Sequence, residues 1–355
     1  MTTNHHPARG AGDPLREQQS ALADELVTRQ FAAQPHLAQR YGPAGREKCL
    51  QDANYHLSYL SEAMTAGAPG LFTNYIAWAK VMLAKRGIPA SDLASHLELI
   101  RTVVGASLPG EAGILAVQYL DAALDQMRST PEDLPTCLVE GAPHGRLAGA
   151  YLSALLGGER HVASRLVLDA VSSGIAVKEI YLHVFEPAQH EVGRLWQLND
   201  ISVAQEHYCT AATQLIMSQL YPYVFASEKG AGTMVATCVA GDLHEIGLRM
   251  VADFLEMDGW NTFYLGASMP AAAVVDTVVL RRAQVLCISA TMSFHLRAVS
   301  ELIRRVRAHP ECQDVKILVG GYPFVVAPQL WRTLGADGCA ADAQLAAALI
   351  RRLIA

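Results

Sequence analysis

The spacing of hydrophobic positions divides the chain into three parts. The C-terminal third alternates short, almost continuous apolar runs with amphipathic helical stretches. The runs are TMVATCVA (233–240), NTFYLGA (261–267), VLCISAT (285–291), VKILVGG (315–321) and a weaker DGCA (337–340). Apolar strands joined by crossover helices indicate a parallel sheet covered on both faces. We therefore predict a doubly wound, five-stranded Rossmann or flavodoxin-like α/β domain over residues 232–355, with its ligand beyond the carboxyl ends of the strands.

Residues 144–226 show apolar positions at helical spacing in four segments. The segments are RLAGAYLSALLGG, HVASRLVLDAVSSG, VKEIYLHVFEPAQHEVGRLWQLN and SVAQEHYCTAATQLIMSQLYPYV. Turns as short as GGER and NDI between them predict a small antiparallel four-helix bundle.

The N-terminal part is predicted to be a separate helical domain over residues 15–130, preceded by a disordered tail of residues 1–14. One of its helices is expected to begin near Pro69 and to end by Gly87. The segment 127–145 contains three prolines and two glycines, which makes it the expected domain boundary.

The composition is that of a globular protein. The 355 residues are 51% hydrophobic and 17% charged, with a formal net charge of -6. Lys and Arg do not cluster on a helix-turn-helix pattern and no apolar run is long enough for a membrane helix, so we expect a cytoplasmic protein that binds neither nucleic acid nor membrane. The seven cysteines are scattered without a C-x-x-C pair, which implies neither a disulfide framework nor a zinc site.

The most informative chemistry follows the first strand. The segment AGDLHEIGLRM (240–250) contains Asp242, His244 and Gly247 at the spacing D-x-H-x-x-G. A histidine at this edge of a sheet can bind a metal through one ring nitrogen while the other hydrogen-bonds to a carboxylate. Gly247 leaves room for a bulky planar ligand near the start of the next helix. A surface or helix-capping role for the same residues is the alternative.

Two later strands end in CISATMS and LVGGYPF, which place small residues beside this histidine. The order D-x-H-x-x-G, S-x-(L/T), G-G resembles the cobalamin-binding domain of base-off/His-on corrinoid proteins, over residues 232–355. In that family the histidine replaces dimethylbenzimidazole as the lower cobalt ligand, and the displaced nucleotide tail enters a slot. The resemblance implies His244 as the ligand and Asp242 as its partner, with Thr291 standing where many members have Leu. The cofactor contacts it implies in this domain are Asp242, Leu243, His244, Ile246, Gly247, Ser289, Thr291, Gly320, Gly321 and Tyr322.

The bundle carries a second resemblance. Trp196, Glu206 and His207 lie at the spacing W-x9-EH, which resembles the cap of the adenosylcobalamin photoreceptors related to MerR-type light-dependent repressors. An indole can cover a 5'-deoxyadenosyl group, and a carboxylate can accept hydrogen bonds from it. The alternative is an ordinary bundle core with a polar face. The chain departs from that family in having no recognisable DNA-binding segment. It also has Gln197 at the position where several members have a histidine that captures cobalt after the adenosyl group is lost. In this chain either His207 or His190 takes that role, or no residue does.

The order of helical domain, cap and cobalamin domain resembles the photocobilins, in which a helical domain holds biliverdin beside the cobalamin. The resemblance implies a non-covalent bilin site lined by His56, Tyr59, Tyr75 and Trp78. A helical core with a partly buried histidine is the alternative. The cations near these residues that would pair with the bilin propionates are Arg46, Lys80, Lys85 and Arg86.

These features predict a light sensor that binds adenosylcobalamin through His244 and biliverdin as a second chromophore, without enzymatic turnover. We expect photolysis of the Co–C bond to shift the cap and to change homo-oligomeric assembly, with a downstream protein as the receiver of the signal. The alternatives are the corrinoid carrier subunit of a methyltransferase and a cobalamin-binding regulator or store without photochemistry.

Overall fold

The computed structural model describes residues 10–354, which fall into two compact units divided between Glu132 and Asp133. This division lies inside the Pro- and Gly-rich segment 127–145 that the sequence indicates as a boundary.

The N-terminal unit is built from seven helices among its described residues. They are α1 Asp13–Glu17, α2 Gln19–Ala33, α3 His36–Tyr41, α4 Gly45–Ala66, α5 Pro69–Ala84, α6 Ala90–Ser107 and α7 Gly110–Ser129. The first helix begins at Asp13, within the stretch 1–14 predicted to be a disordered tail, so that part of the prediction is wrong; residues 1–9 lie outside the described residues. Its Leu15 is completely buried, and this burial ties the start of the unit to its core.

The second unit begins with the predicted bundle. Its helices are α8 Gly145–Leu156, α9 Arg160–Ser172, α10 Val177–Ile180, α11 Glu186–Gln197, α12 Val203–Gln219 and the short α13 Tyr221–Val224. The third long helix of the bundle combines α10 and α11 through a π-helical turn, Tyr181–Phe185. Pro187 explains the turn, because proline has no N–H to continue an α-helical ladder and the chain widens just before it. A capping box in which Ser202 and Gln205 bond reciprocally begins α12.

The rest of this unit is a five-stranded, fully parallel sheet. Its strands and helices are β1 Gly232–Cys238, α14 Ile246–Met257, β2 Trp260–Tyr264, α15 Ala271–Leu280, β3 Val285–Ser289, α16 Leu296–Ala308, β4 Lys316–Gly320, α17 Tyr322–Val326, α18 Leu330–Leu334, β5 Gly338–Cys339 and α19 Ala343–Ile354. The strand order β2-β1-β3-β4-β5 is that of the flavodoxin-like doubly wound sheet, which confirms the predicted fold class.

Strand register decides which loops meet. Cys238 pairs with Ser289, and Ser289 pairs with Gly320, so the central strands β1, β3 and β4 end side by side. The loops that leave these three ends therefore share one edge of the sheet. Within residues 10–354, no helix combines the length and the apolar character needed to cross a membrane.

Candidate functional site

The loop between β1 and α14 presents His244 on a buried carboxylate. Asp242 is fully buried, and its Oδ1 accepts hydrogen bonds from His244 Nδ1 at 2.8 Å and from the His244 backbone N–H at 3.0 Å. The His244 side chain is nevertheless 58% exposed. An ionised carboxylate accepts from Nδ1–H, so the lone pair of the imidazole lies on Nε2, where a metal can be bound.

The second oxygen of Asp242 joins this loop to the neighbouring strand. Asp242 Oδ2 accepts a hydrogen bond from the Thr291 backbone N–H, just beyond the end of β3. Burial opposes ionisation of Asp242, but its hydrogen bonds outweigh burial and hold the pKa of this carboxyl well below its usual range. The hydrogen bond to Asp242 in turn raises the pKa of His244, against the effect of burial.

Two glycines shape the adjacent strand end. Gly321 has φ +101° and ψ 172°, and a Cβ there would lie 2.1 Å from the Ala290 carbonyl oxygen. Only glycine fits at position 321, where the backbone comes this close to that of Ala290. Gly320 is less constrained, since its Cβ would lie 3.5 Å from the nearest atom, the Ala340 oxygen. Ser289, at the end of β3, is buried between these strand ends.

The surroundings of His244 fit a large planar ligand. A Cβ added to Gly247 would meet no atom within 4 Å, so the start of α14 borders open space. Leu243 is 72% exposed, and Tyr322, the first residue of α17, is also exposed. Apolar side chains held in water beside an exposed imidazole gain stability when a macrocycle covers them. The residues present therefore suit a corrin ring.

In the bundle, Glu206 on α12 faces the same region. The negative charge of Glu206 contributes to the raised pKa of His244, so α12 passes close to the loop. Glu206 accepts a hydrogen bond from Thr210 Oγ1 at 3.2 Å and pairs with His207 Nδ1. The His207 side chain is 75% exposed, while Trp196 is partly buried against the bundle core.

A buried polar chain supports Glu206 from within the bundle, and sequence reasoning missed it. Gln189 Nε2 donates to Thr213 Oγ1 at 2.9 Å, and Thr213 shares a 2.7 Å hydrogen bond with the buried Tyr151 hydroxyl. Thr210 reaches the other end of Gln189 at 3.5 Å. The sequence signal that could have indicated this chain is the pair of threonines at 210 and 213, which lie one helical turn apart on α12.

The residue after Trp196 is buried and polar. Gln197 is among the buried side chains of α11, whereas His190 on the same helix is exposed.

Sequence reasoning also missed the joint between the bundle and the sheet, where Gln214 donates to Glu245 Oε1 at 2.7 Å. Glu245 follows His244 directly, so α12 is hydrogen-bonded to the loop that carries the imidazole.

In the N-terminal unit, the four predicted bilin residues form one cluster. Tyr75 donates to or accepts from His56 Nδ1 at 2.9 Å, and its ring stacks on Tyr59 at a centroid distance of 3.6 Å. The ring centroid of Trp78 lies 6.4 Å from that of Tyr75. His56 is buried, and burial lowers its pKa to about 3.

Sequence reasoning missed His96, whose ring lies 5.4 Å from that of His56. Its Nδ1 contacts Gln30 Oε1 at 3.1 Å, while its Nε2 is buried without a hydrogen-bond partner among the described residues. The prediction that Lys80 serves a bilin propionate is wrong. Its Nζ is buried and donates to the carbonyl oxygens of Met127 and Thr130, where it caps the end of α7.

Three family models match the chain. Residues 232–350 match a B12 binding domain, residues 147–221 match a second model also described as a B12 binding domain, and residues 11–127 match the phycobilisome protein model. The two B12 matches coincide with the sheet domain and the bundle.

Curated relatives agree with the B12 matches. Monomethylamine corrinoid protein 1 of Methanosarcina mazei is 25% identical over 190 residues, which cover 52% of this chain and 86% of that protein. Dimethylamine corrinoid protein 2 of the same organism is 32% identical over 130 residues, 36% of this chain and 59% of that protein. The solved monomethylamine corrinoid protein of Methanosarcina barkeri superposes with a TM-score of 0.54 at 23% identity, over 59% of this chain and 99% of that one, and so shares the fold.

Together these matches confirm the predicted cobalamin binding at the level of a corrinoid cofactor. The relatives are named as corrinoid proteins, which agrees with the prediction of a cofactor-binding protein rather than an enzyme. The B12 and corrinoid matches concern the second unit, whereas the N-terminal unit matches the phycobilisome protein model.

Proposed function

We propose that this corrinoid-binding chain is a light sensor that holds adenosylcobalamin in the second unit and a bilin in the N-terminal unit. The observation that carries the proposal is the match of residues 11–127 to the phycobilisome protein model, a family whose name denotes bilin-carrying, light-harvesting particles. A B12 module joined to such a unit combines two light-absorbing cofactors in one chain.

The relatives among corrinoid proteins supply a contrast. In the M. mazei monomethylamine corrinoid protein, the 190 aligned residues already make up 86% of its length. That protein therefore has no room for a counterpart of residues 10–132. A unit of this size, present here in addition to the shared B12 module, supports a role beyond carrying a corrinoid.

The residues of the second unit would hold the cofactor from both sides. His244, oriented by Asp242, would bind cobalt through Nε2, and Ser289 with the glycines at 320 and 321 would border a slot for the nucleotide tail. In the bundle, Trp196 would cover the adenosyl group and Glu206 would accept its hydrogen bonds. When bound, adenosylcobalamin supplies a cobalt–carbon bond that light breaks.

Loss of the adenosyl group would deprive Trp196 and Glu206 of the group that they contact. Glu206 lies on α12, and the same helix bonds Glu245 through Gln214 at 2.7 Å. A shift of α12 would therefore alter the bundle-to-sheet joint and, through it, the surface that the second unit offers to other copies of the chain or to a downstream protein.

In the N-terminal unit, the bilin would lie against the aromatic cluster of His56, Tyr59, Tyr75 and Trp78. Stacked aromatic rings suit the flat pyrrole rings of a linear tetrapyrrole. His96 Nε2 is buried and has no hydrogen-bond partner within residues 10–354, and such a ligand, or a water beside it, can satisfy this nitrogen.

The second candidate function is a methyl carrier of a corrinoid methyltransferase system, which the names of the methylamine corrinoid relatives favour. In that case the upper face would stay open to a partner enzyme. Trp196 and Glu206 would then be bundle residues without a role in holding the cofactor.

The test is reconstitution of the purified full chain in the dark with biliverdin and, separately, with adenosylcobalamin or methylcobalamin. The sensor proposal predicts a retained bilin absorption band, a preference for the adenosyl form, and light-driven changes in both the cobalamin spectrum and the size-exclusion profile. A chain that takes no biliverdin and prefers methylcobalamin supports the carrier.

Matched variants locate the two sites. Trp196→Ala should reduce retention of the adenosyl form relative to methylcobalamin, whereas Trp331→Ala, on α18 of the sheet domain, should not. Trp78→Ala should reduce bilin retention more than Tyr41→Ala, on α3 of the same unit. Equal losses within either pair would contradict the assignment of that site.

A further inference from the structure

Arg249, in the first turn of α14, is a buried cation whose hydrogen bonds run to the bundle. The residue is only 8% exposed. Its Nη1 donates to the Gln214 carbonyl oxygen at 3.1 Å, and its Nη2 donates to Ser218 Oγ at 2.8 Å and to the Tyr221 hydroxyl at 3.0 Å. Its Nε is buried without a hydrogen-bond partner within residues 10–354. A buried guanidinium normally pairs with a carboxylate, and these three partners are uncharged.

A buried carboxylate lies one turn further along the same helix. Asp253 is 7% exposed and accepts a hydrogen bond at 2.8 Å from the hydroxyl of Tyr181, in the π-helical turn of the bundle. Residues four apart on a helix are neighbours on one face, yet within residues 10–354 both side chains bond to the bundle rather than to each other. Burial raises the pKa of Asp253 to about 6, while the Tyr181 hydrogen bond and the charge of Arg249 lower it. The two opposite charges therefore lie within electrostatic reach.

We propose that Arg249 and Asp253 form a switch with two sets of partners at the joint between the bundle and the sheet. In the closed arrangement, which the structure shows, both side chains hold the bundle. When α12 shifts away from α14, Arg249 loses its oxygen partners on α12. It then pairs with Asp253, and this pairing releases Tyr181. A buried charge without a partner is costly, so positions between the two arrangements are unfavourable and the joint has two discrete states. The switch goes beyond the proposed function, because it serves a sensor and a carrier equally.

The competing explanation is a fixed interface, in which Arg249 only complements the dipole at the C-terminal end of α12. The two explanations differ for Asp253→Asn. Asparagine still accepts the Tyr181 hydrogen bond but offers Arg249 no charge, so under the switch it favours the closed arrangement. Tyr181→Phe removes a bond that exists only in the closed arrangement, and so favours the shifted one. Asp276→Asn, at an exposed position of α15, is the control for loss of a negative charge.

The measurement is hydrogen exchange of the backbone amides in the C-terminal half of α12, followed by mass spectrometry on the cofactor-free full chain at neutral pH. We expect Tyr181→Phe to raise the exchange rate about 10-fold, because a hydrogen bond to a charged group is lost. Asp253→Asn should lower the rate about 2-fold, the contribution of an ion pair between residues four apart on a helix. Asp276→Asn should match the parent. Circular dichroism reports folding of each variant, and Asp253→Gln replaces Asp253→Asn if the latter does not fold.

The sign of the change in Asp253→Asn decides between the two explanations. If this variant exchanges at the parent rate or faster, Asp253 stabilises only the closed interface and the inference is wrong. An unchanged rate in Tyr181→Phe also overturns it, since the Tyr181 bond would then not hold the joint closed. These measurements use the chain without cofactor, so they are independent of the proposed function, which fails separately if the full chain takes up no adenosylcobalamin or does not respond to light.

Discussion

Gly321→Ala should destabilise the second unit, and the adjacent Gly320→Ala should not. With φ +101° and ψ 172°, Gly321 occupies a backbone region that is essentially restricted to glycine, at a cost of about 1–3 kcal/mol for other residues. Its Cβ would also lie 2.1 Å from the Ala290 carbonyl oxygen and 2.7 Å from the carbon. Both are backbone atoms of the β3 end, so relief requires the strand end to shift, which adds about 1–3 kcal/mol.

The expected loss for Gly321→Ala is therefore about 2–6 kcal/mol. For a unit of this size each kcal/mol lowers Tm by about 2–4 °C, so Tm should fall by about 4–24 °C. In Gly320→Ala the new methyl group would lie at ordinary contact distance, 3.5 Å from the Ala340 oxygen, and the change should stay below about 1 kcal/mol.

Scanning calorimetry of the cofactor-free chain is the assay. The N-terminal unit is distinct from the second unit, so its transition serves as an internal reference that neither substitution should move. A Tm for Gly321→Ala within about 2 °C of that for Gly320→Ala would refute the geometry of this turn. Because Gly320→Ala keeps the fold, any loss of cobalamin affinity in that variant would report on the slot itself.

Three further predictions concern charge. Asp242→Asn should weaken cobalamin binding about 10- to 100-fold, because it removes the charged acceptor that orients His244; an unchanged titration would contradict this role. Glu206→Gln should lower the pKa of His244 in the cofactor-free chain, since the Glu206 charge helps to raise it, and NMR titration of the ring protons measures the shift; an unmoved pKa would show that α12 does not face the loop. Burial lowers the pKa of His96 to about 4, so the unfolded chain binds a proton that the folded chain excludes, and stability is lost as pH falls below about 6.5. Between pH 7 and 5 this loss is about 2 kcal/mol, and urea unfolding of His96→Leu at the two pH values should show a correspondingly smaller loss than the parent; equal losses would refute the burial argument.

The sheet domain was predictable because its signals are local. A parallel strand buried on both faces is a continuous apolar run, and the polar and glycine residues that follow it fall at the strand end. Register then places the ends of β1, β3 and β4 together without further information. The D-x-H-x-x-G, S-x-T and G-G motifs therefore meet in the structure as the sequence indicates.

Contacts between elements that are distant in sequence were harder to predict. Periodicity identifies the buried face of a helix but not the side chain that reaches across to it from another element. Lys80 illustrates the difficulty, because it is buried and its ammonium group reaches the carbonyl of Met127, 47 residues away along the chain. Tyr181 lies 72 positions before Asp253, and neither residue belongs to a recognisable motif, so only the folded chain reveals the pair.

The bundle-to-sheet joint bears on the choice between sensor and carrier. Gln214 bonds Glu245, Arg249 donates to Ser218 at 2.8 Å, and the Tyr181 hydroxyl donates to Asp253 at 2.8 Å. Hydrogen bonds can be replaced by bonds to water at a small net cost, whereas separation of an apolar interface exposes its whole area. Side chains of the bundle and of the sheet domain also share one hydrophobic core, so a rearrangement that shifts these polar contacts while the apolar ones stay buried costs less stability than separation of the two layers.

Both candidate functions need such a rearrangement, but they need it at different times. A carrier must open its cap at each methyl transfer, so its upper face should not depend on contacts with the bound group. A sensor should stay closed in the dark because the cap residues contact the adenosyl group, and should open once that group is lost. If the joint closes only around the adenosyl form, hydrogen exchange at α12 and α14 should be slower in the dark adenosylcobalamin complex than in the methylcobalamin complex, and equal protection in the two would favour the carrier.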